Sequence, residues 1–189
     1  MTGGSGRDKV LYAYKTTNAL VDTGGGDDTV TLASKATRQK IKTGAGDDRI
    51  TIREPAKTDN RLLKAGLGND YVNIIAKGHT TTYLSENSNP QGLPDSDTFS
   101  GGPSNDTVYD YFGGSNDDPN LLKGNRGFDK LNSLGTARTD IYGGDGTDWL
   151  YAASDGAGGD RIFGERGNCL LYTSPSPRDR TRARMPSSA

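Results

Sequence analysis

A nine-residue pattern, Gly-Gly-x-Gly-x-Asp-x-apolar-x, recurs along this chain and constrains its fold more than any other feature. Its four clearest copies occupy residues 3–11, 23–31, 43–51 and 65–73. Each copy joins a glycine-rich stretch, which can adopt the positive φ angles of tight turns, to a short run of alternating apolar and polar residues. Such alternation is typical of a β-strand with one buried face. The pattern therefore predicts a regular succession of turns and strands.

The spacing of the copies indicates how the turns and strands are wound. The sixth-position carboxylates recur every 20 to 22 residues, at Asp8, Asp28, Asp48 and Asp70. One nonapeptide fills only about half of that interval, so each interval predicts one full coil of a two-stranded solenoid. A second short strand is predicted before each turn, at residues 19–21, 40–42 and 61–64. The predicted fold class is all-β, a right-handed parallel β-roll or two-stranded β-solenoid.

The composition would by itself suggest disorder. Only 31% of the residues are hydrophobic, 27 are glycine, and the mean hydropathy is −0.76, which leaves little material for a thick core. The acidic residues argue against a disordered chain, because 21 are Asp and only 3 are Glu. This bias fits short carboxylates that point inward from tight glycine turns, where the longer Glu side chain would overshoot.

The pattern changes in the second half of the chain. One series of acidic residues continues the earlier spacing, at Asp97, Asp118, Asp140 and Asp160, and a second begins at Asp106, Asp129 and Asp148. Three copies in that first series, those at Asp97, Asp118 and Asp140, match the nine-residue pattern poorly. We therefore predict coils with turns for a metal on one edge over residues 1–75, an insertion loop over residues 76–96, and coils with such turns on both edges over residues 97–168.

The last segment departs from this pattern. Residues 169–189 lose the glycine and aspartate turns and become rich in Ser, Pro and Arg. They resemble the translation of a transposon-type sequencing adaptor, and they begin where the next sixth-position Asp is expected. We expect an artefactual, disordered tail here, and we expect the upstream and downstream parts of the parent chain to be missing.

The glycine and aspartate turns have the chemistry of calcium sites. Ca²⁺ takes six to eight hard oxygen ligands, which carboxylates and turn carbonyls supply. Without the metal, carboxylates stacked in neighbouring coils would repel one another, so we expect several Ca²⁺ ions to drive folding. The predicted metal-site residues are Gly4, Gly6, Asp8, Gly24, Gly26, Asp28, Gly44, Gly46, Asp48, Gly66, Gly68, Asp70, Gly102, Asp106, Asp129, Gly144, Gly146, Asp148, Gly158 and Asp160.

These repeats resemble the RTX (repeats-in-toxin) family, also known as hemolysin-type calcium-binding repeats. The resemblance covers most of residues 3–168 and is strongest at the turns that end in Asp8, Asp28, Asp48, Asp70, Asp106 and Asp148. It implies a parallel β-roll that stays disordered at low cellular calcium and folds after type I secretion. It also implies a secreted, extracellular product of a bacterium. The interval near 20 residues, rather than the 18 of the family, leaves a looser two-stranded solenoid open.

Other function classes receive less support. The chain has no H-E-x-x-H and no G-x-S-x-G motif, so we expect no enzyme activity in this fragment. A non-catalytic spacer, adhesin or surface-layer segment remains open, as does a carboxyl-terminal module of a secreted protease, lipase or epimerase. We expect no nucleic-acid partner and no membrane span. The Asp27 and Asp47 side chains are expected to be solvated or to lie outside the direct metal contacts.

Overall fold

The structure is a computed structural model, and it describes residues 1–12, 18–32, 38–53, 60–75, 79–85, 96–111, 119–135, 138–153 and 159–173. Within these ranges the chain forms fourteen β-strands and no helix. All the strand pairs are parallel, and consecutive coils stack on one another. The architecture is therefore the all-β parallel solenoid that the repeat spacing predicts. None of the described segments is a helix long and apolar enough to cross a membrane.

The strands lie in two rows, one on each side of the solenoid. The first row contains β1 (Lys9–Tyr12), β3 (Thr29–Leu32), β5 (Arg49–Ile52), β7 (Tyr71–Ile74), β9 (Thr98–Ser100) and β11 (Asn120–Gly127). The second row contains β2 (Leu20–Asp22), β4 (Lys40–Ala45), β6 (Asn60–Leu67), β8 (His79–Ser85), β10 (Asp106–Asp110) and β12 (Lys130–Ser133). Two longer strands, β13 (Thr139–Ala152) and β14 (Arg161–Thr173), each run through both rows.

The centre of the core contains two facing columns of buried side chains, one from each row, and all of them except Thr82 are apolar. Parallel register places one inward residue of every coil directly above its equivalent in the coil below. The first-row column is Val10, Val30, Ile50, Val72, Phe99, Leu122 and Ile141, and all of these are buried. The second-row column contains Val21, Ile41, Leu63, Thr82, Val108, Leu131 and Leu150, also buried. Few apolar residues suffice because each one contacts its stacked equivalents.

Two of the predicted segment assignments are wrong in part. Residues 79–85, placed by the sequence in an insertion loop, form β8 and pair in register with β6 and β10. Thr80 and Thr82 are polar, so the sequence did not indicate a strand here, although both side chains are buried. Residues 169–173 were expected to be disordered but complete β14, because a parallel ladder uses only the backbone. The remainder of the predicted loop at 86–95 and of the tail at 174–189 lies outside the described residues.

Candidate metal centre

Two sets of turns connect the rows, and they define the two edges of the solenoid. Edge A contains the turns that lead from a second-row strand to the first-row strand of the next coil. Edge B contains the turns that lead from a first-row strand to the second-row strand of the same coil. The turn glycines of edge A require positive φ, for example +107° at Gly44 and +132° at Gly46. A Cβ at Gly44 would overlap the carbonyl oxygen of Gly24 in the adjacent coil.

A ladder of aspartates runs along edge A. The backbone N–H of Asp8 donates to Asp28 Oδ1 at 2.7 Å, and that of Asp28 donates to Asp48 Oδ1 at 2.8 Å. The same bond joins Asp48 to Asp70 and Asp70 to Asp97. Each carboxylate thus accepts a hydrogen bond from the preceding coil of the chain. We describe a preceding, more N-terminal coil as lying below the one that follows it. The four clearest sequence copies therefore supply a continuous column of sixth-position carboxylates on one edge.

A second ladder of the same kind lies on edge B. The N–H of Thr80 donates to Asp106 Oδ1 at 3.1 Å, that of Asp106 to Asp129 Oδ1 at 2.8 Å, and that of Asp129 to Asp148 Oδ1 at 3.1 Å. Cys169 is in register with Asp148, in the position where the sequence pattern expects the next Asp. The second acidic series of the sequence thus forms one column on the edge opposite to the first.

The second carboxylate oxygen, Oδ2, has different surroundings along the two ladders. At Asp28, Asp129 and Asp148, Oδ2 is buried and accepts no hydrogen bond. A buried carboxylate oxygen without a partner costs at least ~1–3 kcal/mol, so such atoms are rare in folded proteins. At Asp8 and Asp106, Oδ2 accepts the N–H of Gly4 and Gly102, at 3.2 and 3.0 Å. The buried oxygens are hard donors and fit a hard divalent cation such as Ca²⁺.

Burial changes the acidity of the ladder carboxyls. It raises the pKa of Asp129 to about 7, with the N–H of Asp106 acting in the opposite direction. It raises the pKa of Asp48 to about 6, while hydrogen bonds from the N–H of Asp28 and the side chain of Thr43 act in the opposite direction. Burial also raises the pKa of Asp148. A nearby metal ion would keep such carboxylates ionised because it replaces the hydration that they lose on burial.

The backbone of the turns is already used in coil-to-coil hydrogen bonds. On edge A, the N–H of Gly25 donates to the carbonyl of Gly4 at 2.9 Å, and that of Gly46 donates to Leu67 at 2.8 Å. A carbonyl that accepts one hydrogen bond keeps a second lone pair for a metal. Nowhere in the described part of the chain do three or more acidic, His or Cys side chains form a group that could hold a metal. An ion bound here would therefore take most of its ligands from carbonyl oxygens or water.

The fifth position of the repeat forms an outer ladder that the sequence interpretation missed. Asp27 Oδ1 accepts the N–H of Asp47 at 3.1 Å, and Asp47 Oδ1 accepts that of Asn69 at 2.9 Å. Asn69 Oδ1 in turn accepts the N–H of Ser96 at 2.7 Å. These bonds run in the opposite direction to those of the inner ladder, because the lower coil supplies the acceptor. Recurrence of Asp or Asn at the fifth position was the signal that could have revealed them.

Edge A differs from the prediction beyond Asp97. The register places Asn120 and Thr139 in the ladder positions, where the sequence interpretation had Asp118 and Asp140. Asp118 lies outside the described residues, and Asp140 instead forms an ion pair with Arg138 at 3.1 Å. Asn120 donates to Asp110 Oδ2 at 2.8 Å, and Ser133 and Thr139 share a hydroxyl–hydroxyl bond of 2.9 Å. Direct side-chain bonds therefore link the two rows at this part of edge A.

The predicted glycines behave less uniformly than the aspartates. Positive φ angles occur at Gly24, Gly26, Gly44, Gly46, Gly66, Gly68, Gly144 and Gly146, but Gly4, Gly6 and Gly102 do not share them. Asp160 Oδ1 accepts the N–H of Thr139 at 2.7 Å, which extends the edge A column, whereas Gly158 lies outside the described residues. The sequence interpretation missed Asn125 and Gly127, whose φ angles are +74° and +137° in the turn before Asp129.

Comparison with known proteins agrees with the turn chemistry. A family model described as the RTX calcium-binding nonapeptide repeat matches the chain in 4 copies, at residues 91–118 and 140–155. The matched residues include Asp106 and Asp148 of edge B but not the four regular copies of edge A. No curated protein and no solved structure matches the chain.

Proposed function

We propose that this chain, which carries RTX calcium-binding nonapeptide repeats, folds when Ca²⁺ binds to its two aspartate ladders and acts outside the cell in a secreted bacterial protein. The residues proposed to hold the metal are the ladder aspartates, among them Asp28 and Asp48 on edge A and Asp129 and Asp148 on edge B. The bound ions supply positive charge to buried oxygens. The role proposed for these residues is structural, and no reaction step is assigned to them.

The observation that carries the proposal is the set of buried Oδ2 atoms without a hydrogen-bond donor. They belong to residues of the same repeat position, and they occur on both edges. An isolated oxygen of this kind could reflect a local packing fault, but its recurrence with the repeat period supports a common role. A carboxylate oxygen is negatively charged when ionised, so a cation fits each of these positions.

The ladders explain why the metal would be needed for folding. Neighbouring strands lie about 4.8 Å apart, so the carboxylates of successive coils are close enough to repel one another. The apolar columns are thin, and 31% hydrophobic content provides little other driving force. A ligand that binds only the folded state adds its binding free energy to folding. At low calcium the balance favours the unfolded chain.

The extracellular assignment is supported by the family resemblance and by this calcium dependence. A chain that unfolds at low calcium would remain unfolded inside a cell and would fold where calcium is abundant. This part of the proposal has its own test, which is the recovery of the parent protein from the culture medium of the bacterium that produces it.

The folding part is tested by far-ultraviolet circular dichroism of the full chain, titrated with calcium and separately with magnesium. We expect a cooperative change from coil to β-structure with calcium only, because Mg²⁺ demands tighter octahedral geometry. The matched variant is Asp129→Asn together with Asp148→Asn, which preserves side-chain size and removes two charges. It should require more calcium. A β spectrum that persists in chelator at pH 8, where the ladder carboxyls are ionised, or an equal response to magnesium, would contradict the proposal.

A further inference from the structure

Edge B is built differently below the aspartate ladder. The register continues the column of Asp148, Asp129 and Asp106 downward through Thr80 to Arg61 and Gln39. The glycine pattern is absent from the sequence of these lower turns. The column of ladder carboxylates is therefore followed by Thr80 in the next coil and by the cationic Arg61 in the coil after that.

Arg61 is buried to an unusual degree for an arginine. Its relative exposure is 2%, and it is among the largest fully buried side chains of the described chain. The Nε atom donates to Gln39 Oε1 at 3.3 Å, and Gln39 is itself 2% exposed in the coil below. A guanidinium remains charged when it is buried, because its delocalised cation is a very weak acid. The fold therefore keeps a permanent positive charge inside edge B.

We propose that Arg61 is the built-in cation of edge B, which stabilises the lower coils in the place where the upper coils use Ca²⁺. The inference rests on the proposed function, because it compares Arg61 with metal-bound coils. The guanidinium donates a hydrogen bond to Gln39 Oε1, whereas a calcium ion would accept oxygen ligands. Its charge lies two strand spacings, or roughly 10 Å, from Asp106, where it favours the ionised ladder.

This assignment explains why one edge can change its chemistry along the solenoid. At the described positions of the lower edge B, the column contains Gln39, Arg61 and Thr80 in place of aspartate. The assignment also distinguishes Arg61 from Lys64, which lies on the same strand but points outward and is exposed. Both residues carry one positive charge, so Lys64 provides the matched control.

The test compares Arg61→Met, Arg61→Lys and Lys64→Met with the wild-type chain. Two quantities are measured for each: the urea midpoint in saturating calcium, and the number of calcium ions bound, by mass spectrometry under native conditions. We expect Arg61→Met to lower the folding equilibrium constant about a hundredfold with no change in the number of ions, because the buried Gln39 oxygen loses a charged donor. Arg61→Lys should recover more than half of the loss on a logarithmic scale. Lys64→Met should change the constant less than threefold.

The outcomes separate this inference from the proposed function. If the wild type binds no calcium, the proposed function fails whatever the arginine variants do. If it binds calcium and Arg61→Met is as stable as the wild type or more stable, Arg61 is not a required cation. Equal losses in Arg61→Lys and Arg61→Met would assign the effect to shape and overturn the charge-based inference. If Arg61→Met does not fold at any calcium concentration, Arg61→Lys alone decides between charge and shape.

Discussion

In the described part of residues 1–85, the N-terminal region, the first-row side of edge B is lined by apolar side chains, whereas in the described part of residues 96–153, the C-terminal region, it is lined by glycines that face the aspartate ladder. The inward residue at the end of the first-row strand is Leu32, Ile52 or Ile74 in the N-terminal region, and each is buried. In the C-terminal region the equivalent position holds Gly101, Gly124 or Gly143, each directly after a residue of the paired set Ser100, Lys123 and Tyr142. The aspartates of the ladder stand opposite these glycines, whereas Arg61 and Thr80 occupy the equivalent positions below.

The comparison shows that the residue facing the ladder decides whether an edge can accept a carboxylate. A Cβ at Gly143 would lie 2.6 Å from Asp148 Oδ2, and one at Gly124 would overlap Asp129 Oδ2. An aliphatic side chain at either position would fill the space that the carboxylate occupies. Edge A meets the same requirement in the N-terminal region with the small residues Thr23, Thr43 and Ala65, all of them buried. A carboxylate column therefore needs small facing residues.

The largest effect is expected when a glycine that faces the edge B ladder is replaced by an aliphatic residue like those of the N-terminal region. Gly143→Val should destabilise the calcium-bound chain by about 3 kcal/mol, because overpacking adds to the displacement of Asp148. Urea unfolding in saturating calcium measures the change. The matched control is Ile74→Val, which removes one methylene group from the apolar lining and should cost about 1 kcal/mol. A Gly143→Val chain as stable as the control would refute the role assigned to the facing glycine.

The two ladders can be compared by removing one carboxylate from each. Asp48→Ala on edge A and Asp129→Ala on edge B should each cost about 2 kcal/mol, because a buried N–H loses its acceptor and a ligand disappears. Both should raise the calcium concentration at the folding midpoint in a circular dichroism titration. Asp145→Ala, at an exposed turn position, is the control and should have little effect. A loss confined to one edge would show that the ladders are not equivalent.

The pH dependence follows from the raised pKa values of the ladder. Without calcium, the folded chain holds protons on Asp48 up to about pH 6 and on Asp129 up to about pH 7, whereas the unfolded chain releases them near pH 4. The folded state binds more protons in this window. Stability of the calcium-free chain is therefore greatest below about pH 4 and falls as the pH rises toward 7.

The measurement is the β-structure content in chelator between pH 4 and 8, together with calcium affinity over the same range. Calcium must displace protons, so its affinity should increase with pH. Asp129→Asn should reduce the dependence near pH 7 more than Asp48→Asn does, because the pKa of Asp129 is the higher of the two. A calcium-free chain that gains β-structure as the pH rises would contradict the burial of these carboxyls.

The smallest effect is expected at the outer ladder. Asp47→Ala on edge A and Asn105→Ala on edge B each remove an exposed acceptor of a backbone N–H, from Asn69 and Phe128 respectively. Each should cost less than about 1 kcal/mol, because water can replace the lost acceptor. The number of bound calcium ions should not change, as measured by native mass spectrometry. Loss of an ion in either variant would place the fifth position among the metal ligands.

Much of the fold could be predicted because the repeat is local and regular. The coil interval, the strands after Asp28, Asp48 and Asp70, and the acidic series on edge B are all visible as spacing in the sequence. The strand at residues 79–85 could not be recognised, because the buried Thr80 and Thr82 have the polarity of a loop. Backbone pairing on both sides, with β6 and β10, holds that strand in the sheet.

The parallel solenoid, with a carboxylate in each regular turn, can be read from the residues alone, since glycine and aspartate at fixed spacing impose local backbone geometry. The edge that each carboxylate joins, the ladder positions of Asn120 and Thr139 on edge A, and the column that Arg61 shares with Asp106 are visible only in the folded chain. They depend on stacking register, which is a property of neighbouring coils. Because turns differ in length, equal spacing in the sequence does not always give equivalent positions in neighbouring coils. Hydrogen bonds between strands determine which residues are paired.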